Sequence, residues 1–565
     1  MRLRTSVVLS VFACLLFACG DDGGGASDAM VVEGADAQVV VIDAQPSDAA
    51  IPLPSGPRFI YRVDSETAVS QELFIGAIDG GAAVTPQPLH PPLGTNQIAD
   101  YFVISNDGQW VLYEVRTTDG TLPDFWRGGG GSILDYSLYL VDISRAAPGA
   151  PTLIRGPVAN SFGFGFTGDS KHIVLTHDDA VTDSRELYSR DISSGTPAAE
   201  VKLSGTLVAG GRVASWRASP ADGRILYTAY QTSATTEDVY VVDANAPAVP
   251  VKVNGTMPDG GEVRDFEWSP DATKLLYVAD QGTLGRREGW LATFTGTTPA
   301  TAQRFNQALT TSDDVWSAQF TADSNNILYR ADHDTPGEGG VYRVDVSSGI
   351  AAAQRVSPAG ARAGIEDVTA DSQWIAMQGG GNLWIADLTS PTGAPPVVTV
   401  AGQFAKTGLR ISGDGAIISH RVNFGSGQPF ELYATTPGNP TGSTKISAAT
   451  GYGLGIVYTQ WAPTGRRLAY DFENAAGGRE LYLIEFTATT AGTPTLISDA
   501  TASTHTAADP TWAADGLSLT YIWQTPTGGY DVYWVDLSGA TPGTPTRINE
   551  PRSAGEDITL YRRVP

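Results

Sequence analysis

The chain alternates apolar and polar residues over short stretches that recur about every fifty residues. Three of them read EWSPDATKLLYVAD (267–280), QFTADSNNILYRAD (319–332) and TWAADGLSLTYIWQ (511–524). Each contains an apolar residue, a tight turn with Asp, and then a segment in which every second residue is apolar. Because alternation with period two is typical of half-buried strands, each stretch predicts two antiparallel strands joined by a turn.

Each unit continues into a third strand that carries an aromatic residue and usually ends with Asp, as in SLYLVD (137–142), DVYVVD (238–243) and DVYWVD (531–536). A fourth strand is predicted around segments such as PTLI (151–154) and PVKV (250–253). Four strands joined by tight turns predict an antiparallel meander. A repeat of about fifty residues built from such a meander is typical of a β-propeller, in which each unit forms one blade.

The Asp turns mark the successive units. They fall at Asp107, Asp169, Asp222, Asp271, Asp323, Asp371, Asp414 and Asp515, with Thr464 in the equivalent place. Their spacing runs from 43 residues, between Asp371 and Asp414, to 62, between Asp107 and Asp169. An apolar residue precedes the turn by three positions in every unit except the one at Trp216 to Asp222, where we predict an inserted residue.

The two ends of the repeat region complement each other. FIYRVD (59–64), ELFIGAID (72–79) and VTPQPL (84–89) supply three strands without a first one, and EDITLYRR (556–563) supplies a lone first strand. We therefore predict an all-β fold: a single large propeller of about ten four-stranded antiparallel blades over residues 58–565, closed into a ring by pairing of the N- and C-terminal strands. Two smaller propellers are the alternative, although no linker interrupts the spacing.

The turns WSPD and SPADG, followed by LLYVAD and RILYTAY, resemble the repeats of TolB-like, WD40-like propellers, known as PD40 repeats. The resemblance covers residues 58 to 563. It implies the propeller fold and a role as a binding platform, since propellers of this kind bind many partners. TolB has a separate amino-terminal domain and six units, against ten here, so its role in the Tol-Pal system is not carried over.

Residues 1–18 are predicted to be an export signal, with Arg2 and Arg4 preceding a short apolar run. The end of that run, Leu16 to Cys19, resembles the lipobox of bacterial lipoproteins, which implies that Cys19 is lipidated after cleavage. An ordinary signal peptide with a chance cysteine is the alternative. Residues 19–57, rich in Gly, Ala and Asp, are predicted to be a disordered tether. Gly20 after the cysteine favours the outer over the inner membrane of the cell envelope.

Composition narrows the range of partners. The chain has 61 acidic residues against 36 Lys and Arg, a formal net charge of −25, which argues against nucleic acid and anionic lipid as partners. Membrane attachment is expected through the lipid anchor only. With Cys14 and Cys19 as the only cysteines, no disulfide is expected in the mature chain. We expect a monomer.

The candidate ligand face is the side of the propeller opposite the Asp turns, where the fourth strand of one blade leads into the first strand of the next. Acidic residues near these connections predict a negative rim that would attract a protein or glycan partner, and a purely structural role is the alternative. The insertion from Thr117 to Tyr136 adds two aromatic residues, which would either bind a ligand or pack on the rim. The predicted set is Asp100, Phe125, Trp126, Asp265, Asp313, Asp314, Glu366, Asp367, Asp509 and Asp557.

The sequence contains no recognisable catalytic motif. The six histidines lack zinc spacing such as H-E-x-x-H, and there is no G-x-S-x-G elbow. No cofactor is predicted. Loops such as THDDAVTD (176–183) are rich enough in oxygen for Ca²⁺ but lack EF-hand spacing. We therefore favour a membrane-tethered binding platform. The alternatives are an exported enzyme, a hydrolase or lyase with its active site at the channel mouth, and a structural spacer.

Overall fold

The computed structural model shows an all-β protein. It describes residues 53–54, 56–65, 70–120, 132–160, 163–178, 184–309, 313–333, 337, 339–391, 395–400, 403, 405–447, 455–474, 476–498, 506–524, 529–552 and 556–565. These residues form 41 strands and no helix. The described part of the chain thus has no helix of the length and hydropathy needed to cross a lipid bilayer.

The strands group into ten blades, called sheets 1 to 10 here in chain order. Hydrogen bonding makes them nine sheets, because one parallel bridge between Arg479 and Thr506 joins the ninth blade to the tenth. Sheet 1 contains Arg58–Ser65 (β1), Ser70–Asp79 (β2) and Ala82–Pro88 (β3), and is completed by the last strand of the chain. Sheet 2 contains Gln97–Ile104 (β4), Trp110–Thr118 (β5), Ile133–Asp142 (β6) and Thr152–Val158 (β7). Sheet 3 contains Gly163–Phe166 (β8), His172–Asp178 (β9), Arg185–Asp191 (β10) and Val201–Lys202 (β11).

Sheet 4 contains Val213–Ala218 (β12), Arg224–Ala229 (β13), Asp238–Asp243 (β14) and Val251–Lys252 (β15). Sheet 5 contains Val263–Trp268 (β16), Lys274–Thr283 (β17), Arg286–Thr295 (β18), Thr298–Pro299 (β19) and Gln303–Arg304 (β20). Sheet 6 contains Val315–Phe320 (β21), Asn326–Ala331 (β22), Gly340–Asp345 (β23) and Gln354–Arg355 (β24). Sheet 7 contains Gly364–Val368 (β25), Trp374–Gly379 (β26) and Asn382–Asp387 (β27).

Sheet 8 contains Ala405–Ile411 (β28), Ile418–Asn423 (β29), Glu431–Thr436 (β30) and Asn439–Lys445 (β31). Sheet 9 contains Thr459–Trp461 (β32), Arg467–Glu473 (β33), Arg479–Thr487 (β34), Thr490–Ala491 (β35) and Thr495–Leu496 (β36). Sheet 10 contains Thr506–Trp512 (β37), Ser518–Gln524 (β38), Tyr530–Asp536 (β39) and Thr546–Arg547 (β40). The last strand, Glu556–Arg563 (β41), belongs to sheet 1.

Within each sheet the strands are antiparallel neighbours in chain order, which confirms the all-β propeller class predicted from the repeats. Sheet 1 is the exception in chain order, because its strands run β3-β2-β1-β41. The first and last strands of the fold therefore pair, from Phe59 opposite Arg563 to Ser65 opposite Glu556. The amide of Val564 extends this pairing by donating to the carbonyl of Arg58 at 2.9 Å.

Apolar side chains fill the space between consecutive sheets in ten clusters. Between sheets 4 and 5, for example, Leu226 and Val239 pack with Tyr277. One cluster joins sheet 10 to sheet 1 through Val532 and Phe59, both 0% exposed. Each sheet thus buries both faces against its neighbours, which is why its central strands read as nearly continuous apolar runs.

The Asp turns form one face of the molecule, here called the turn face. In sheet 5 the hydroxyl of Ser269 donates to Asp271 at 2.5 Å, and the amide of Asp271 donates to Ser324 in the next sheet at 3.0 Å. The insertion predicted before Asp222 is absent. The amide of Ser219 bonds the carbonyl of Arg224 five residues on, as in the other turns, and the Asp simply sits one position later.

A further repeat feature was not predicted from the sequence. In seven sheets a Ser or Asn just after the last strand accepts a hydrogen bond from a backbone amide near the start of the third strand. We call this contact the strand latch. Its members are Ser204, Asn254, Asn306, Ser357, Ser447, Ser498 and Asn549. An apolar residue directly precedes each of them. This recurring pair, an apolar residue followed by Ser or Asn, is the sequence pattern from which the latch could have been predicted.

Candidate functional site

The first strand of each sheet, or β41 in sheet 1, lies at its inner edge. Contacts between neighbouring sheets concentrate there: β21 packs on β17 and β18, and β28 packs on β25 and β26. Eight of these ten inner strands carry a β-bulge near the end opposite the turn face. Because a bulge re-aims side chains and is common beside functional sites, we define the bulged ends of the inner strands as the inner rim.

Five of the predicted acidic residues lie on this rim. Asp100, Glu366 and Asp509 occupy bulge positions, and Asp265 and Asp367 directly follow the extra residue of their bulges. The sequence had placed them in the connections before the first strands, whereas the structure places them within those strands. The rim therefore does bring predicted residues from several sheets to one end of the propeller.

Asp100 is neutralised by arginines from two sheets. Arg116 Nη1 lies 2.6 Å from Asp100 Oδ2, and Arg62 contacts the other carboxylate oxygen. Arg62 also pairs with Asp64 at 2.7 Å, and Arg116 with the buried Glu114 at 2.7 Å. Burial raises the pKa of Glu114, while the nearby Arg116 acts against this rise. The result is an alternating ion-pair network that links sheets 1 and 2.

Asp314 and Asp557 share a structural role at the ends of their blades. Asp314 accepts the amide of Arg287 from the preceding sheet at 2.8 Å, and it also pairs with the Arg287 guanidinium at 3.0 Å. Asp557 accepts the amide of Tyr530 from the preceding sheet at 2.9 Å and lies 3.6 Å from Arg552. Both carboxylates therefore tie an inner strand to the third strand of its neighbour. Asp313, which is 2% exposed, is buried beside Asp314.

Asp367 and Glu267 cap the open backbone edge of the next inner strand. Glu267 Oε1 accepts the amide of Phe320 at 2.8 Å, and Asp367 Oδ2 accepts the amide of Ile411 at 2.9 Å. Both acids precede their Asp turn by four residues, and both amides precede the next turn by three. The contact is thus a repeat-related link between sheets 5 and 6 and between sheets 7 and 8.

The carboxyl groups of β16 are electrostatically unusual. Burial raises the pKa of Glu267 to about 7, with a further contribution from Asp265, while Arg217 on the inner strand of sheet 4 acts in the opposite direction. Asp265 is reached by solvent, yet enough protein surrounds it that desolvation raises its pKa as well. Its carboxylate accepts a hydrogen bond from the amide of Phe266 at 2.9 Å. Two carboxyl groups that titrate above their usual range therefore share one strand.

Asp509 lies on the rim between two tyrosines. Its backbone has a φ of 48°, in the left-handed region, and its carbonyl accepts the hydroxyl of Tyr561 at 2.8 Å. Its carboxylate makes no hydrogen bond or ion pair with the described residues, and burial raises its pKa. The indole of Trp512, on the same strand as Asp509, donates to the carbonyl of Gln460 at 3.1 Å, so the inner strands of sheets 9 and 10 lie side by side. Tyr458, two residues before Gln460, lies at the same end of them as Asp509. Burial raises the pKa of Tyr458, and the Asp509 carboxylate adds to this effect.

Arginines also line the rim, and the sequence did not predict them there. Arg410 Nη1 lies 3.5 Å from Glu366 Oε2, and Arg264 pairs with Glu262 at 2.7 Å. Trp316, at the bulge of sheet 6, stacks under Arg330 with 4.7 Å between the guanidinium carbon and the ring centroid. The rim is therefore a mixed surface of arginines, carboxylates and aromatic rings. The positions of the carboxylates in the sequence could not show this, because Arg410 and Arg330 come from other strands than the residues they contact.

Phe125, Trp126 and the lipidation site Cys19 fall outside the described residues. Within the described ranges no three His, Cys, Asp or Glu side chains come together in a way that could hold a metal ion. Two clefts of about 260 Å³ each lie away from the rim. One is between sheets 9 and 10 around Thr495 and Pro542, and the other is between β3 and β40 around Val84 and Ile548.

The described sheets and the rim at their inner edge define the chain as a β-propeller protein. No protein-family model matches the chain, and no curated protein matches it. Among solved structures, one described as the eukaryotic initiation factor is similar over 90% of this chain and 98% of that one, with 12% identity and a TM-score of 0.46.

Two peptidase structures are also similar to this chain. One of two prolyl endopeptidases matches 62% of this chain and 50% of its own length at 10% identity, with a TM-score of 0.34. Porphyromonas gingivalis dipeptidyl peptidase 4 matches 86% of this chain and 64% of its own length at 11% identity, with a TM-score of 0.43. The chain thus spans less than two thirds of either peptidase, and likenesses at this level carry no functional argument.

Proposed function

We propose that the protein is a cell-envelope lipoprotein, tethered through Cys19, whose propeller is a binding platform for a protein or glycan partner at its inner rim. The observation that carries this proposal is the repeated bulge, which presents charged and aromatic residues of several sheets at one end of the fold. Arginine and aromatic side chains are enriched at recognition sites, and charged groups at their edges steer a partner of opposite charge. The resemblance to PD40 repeats, which occur in binding propellers, supports the same function.

The test is a pull-down from envelope extract with residues 56–565 as bait. The rim variant carries Asp265→Asn, Glu366→Gln and Asp509→Asn, which change rim carboxylates that have few internal partners. The matched control carries Asp107→Asn, Asp371→Asn and Asp515→Asn. These three exposed turn-face residues accept local hydrogen bonds from backbone amides and, at Asp107, from the hydroxyl of Ser105. Asn can also accept these bonds, and the three replacements give the same change in net charge.

We expect a partner that is retained by the parent and the control and is lost by the rim variant. Equal recovery by all three proteins, or no partner at all, would reject the rim as a recognition site. Lipid attachment has a separate test: metabolic labelling with a palmitate analogue should mark the full chain and not its Cys19→Ser variant. Fractionation of the labelled cells would show whether the protein resides in the outer membrane.

An exported hydrolase or lyase is the second candidate function, and one observation favours it. Glu267, whose pKa is raised to about 7, shares an inner strand with Asp265, and a carboxyl group that titrates near neutral pH is suited to general acid catalysis. A screen of glycoside and peptide substrates should then show turnover that Glu267→Gln abolishes. Turnover that persists in this variant would remove Glu267 from the chemistry.

A further inference from the structure

Among the rim carboxylates, Asp509 differs in that its carboxylate makes no ion pair or hydrogen bond with the described residues. Asp100, Asp314 and Asp557 each contact an arginine or a backbone amide of a neighbouring sheet, and Asp367 accepts two amides. Asp509 is exposed, and its carboxylate bonds none of the described residues, although its backbone carbonyl is held by Tyr561. A carboxylate that is partly desolvated and lacks a cation gains free energy when a cation arrives.

The surroundings of Asp509 supply aromatic surface as well as negative charge. Tyr458, from the preceding sheet, is 44% exposed. Among the strongly exposed large apolar side chains of the described residues, only Tyr458 and Phe424 are aromatic. Tyr561, from sheet 1, donates to the Asp509 carbonyl and lies 3.2 Å from the hydroxyl of Thr511. Aromatic faces attract cations through their quadrupole, most strongly where water is partly excluded.

The nearby arginines are already engaged and do not neutralise Asp509. Arg479 pairs with the buried Asp471 at 2.8 Å and with Glu473 at 3.4 Å. Arg421 donates to the carbonyls of Ile456 and Val457. These contacts hold the segment before β32, and with it Tyr458, in place. The excess of acidic residues in the whole chain would also steer a basic ligand toward the protein.

We propose that Asp509, flanked by Tyr458 and Tyr561, binds an arginine or lysine side chain of a protein partner. This inference rests on the proposed binding function and narrows it to a basic segment of a protein. The carboxylate forms the ion pair, and the exposed Tyr458 ring provides a cation–π contact.

The experiment uses three fluorescent pentapeptides, Gly-Gly-Arg-Gly-Gly, its Lys analogue and its Gln analogue, with residues 56–565 at 0.15 M salt (about 8 Å screening length). Fluorescence polarisation would measure binding to the parent and to Asp509→Asn, Tyr458→Ala, Tyr458→Phe and Asp515→Asn. Asn tolerates the left-handed backbone of position 509, so Asp509→Asn is expected to fold, and its thermal melt would verify this. Asp515 is an exposed turn-face residue of the same sheet, and its replacement controls for net charge.

We expect the Arg or Lys peptide to bind the parent and the Gln peptide not to bind. Affinity should fall about tenfold in Asp509→Asn and several-fold in Tyr458→Ala, and it should be kept in Tyr458→Phe and Asp515→Asn. Equal binding of the Gln peptide, no binding of either basic peptide, or equal affinity of the parent and Asp509→Asn would overturn the inference. If the rim variant still loses its envelope partner in that case, the binding function stands and only the assignment of a basic side chain fails.

Discussion

The amide of Phe320 donates to the carboxyl group of Glu267 across the boundary between sheets 5 and 6, at 2.8 Å. Ile411 and Asp367 repeat this contact two sheets further on, at 2.9 Å. Inner strands have one backbone edge without a strand partner, and an unpaired buried amide is costly. The carboxyl groups accept hydrogen bonds from such amides and link adjacent blades. Both therefore contribute to the stability of the fold.

Replacing Glu267 by Gln should change how stability depends on pH. The pKa of Glu267 is raised in the folded protein to about 7 from an ordinary value of about 4.5. The folded protein therefore binds the proton more tightly, and the free energy of unfolding of the parent falls as pH rises from 4.5 to 7. Gln keeps an acceptor for Phe320 and carries no charge, so the variant should be the more stable protein above pH 7, by on the order of 1–3 kcal/mol.

Urea unfolding at pH 4.5, 6 and 8 would measure this effect. The control is Glu267→Ala, which removes the hydrogen bond and should be less stable than Gln at every pH. A stability difference between the parent and Glu267→Gln that does not grow with pH would contradict the raised pKa.

Removing residues 555–565 should destabilise the whole propeller. The deletion removes β41, exposes the edge of β1, and takes Ile558 and Val564, which are 1% and 5% exposed, from two interfaces between sheets. Because sheet 1 would then lose the strand with which it packs on β39 of sheet 10, we expect a drop in melting temperature of about 10 °C or more, or aggregation. Scanning calorimetry of residues 56–554 against 56–565 provides the comparison. An unchanged cooperative melt would show that the pairing of the terminal strands is dispensable.

The strand latch of sheet 10 offers a matched pair of substitutions. Asn549 is 4% exposed; it accepts the amide of Val532 at 2.8 Å and donates to Asp531 at 2.8 Å. Asn549→Ala leaves the amide of Val532 without this acceptor and removes one donor from Asp531, which keeps its pairing with Arg552 at 2.6 Å, and it should cost about 1–3 kcal/mol of unfolding free energy. Asn549→Ser should cost less, because Ser498 fills the equivalent place in sheet 9 and accepts the same type of bond at 3.0 Å. Equal losses of unfolding free energy in Asn549→Ala and Asn549→Ser would show that the latch hydrogen bond does not stabilise the sheet.

The turn face should lose its contribution to stability in acid. Partial burial of Asp271 acts to raise its pKa, but hydrogen bonds from Ser269 and Thr273 outweigh this effect and hold the pKa at about 2. A folded pKa below the ordinary value of 3.8 means that the contribution is complete above pH 3.8 and is lost as pH falls toward 2. Asp271→Asn should therefore reduce the dependence of the denaturation midpoint on pH between 4 and 2. An unchanged slope would place the lowered pKa in doubt.

Much of the fold could be predicted from the sequence, because its determinants are local. Period-two alternation in segments such as LLYVAD predicts a strand, and the Asp at the turn is held by its own neighbours, as Asp271 is by Ser269 and Thr273. Ten recurrences of this unit imply ten sheets. The match between the three strands at the N-terminus and the lone strand at the C-terminus predicts the pairing of β1 with β41. The turn at Asp222 is an exception: its spacing predicted an inserted residue, whereas the turn has the usual length and its Asp lies one position later.

The site depended on contacts that no local pattern records. The sequence identified Asp100 and Asp509 as equivalent carboxylates on a rim, and they occupy equivalent bulges. Only the tertiary structure shows that Arg62 and Arg116 neutralise the first, whereas the second holds Tyr561 through its backbone carbonyl and pairs with no cation of the described residues. Those partners come from other sheets, far away in the chain. The sequence by itself therefore determined the repeat, the strands and the turn chemistry. The packing of one blade against the next decided which carboxylates form ion pairs or hydrogen bonds with a neighbouring blade and which remain exposed on the rim.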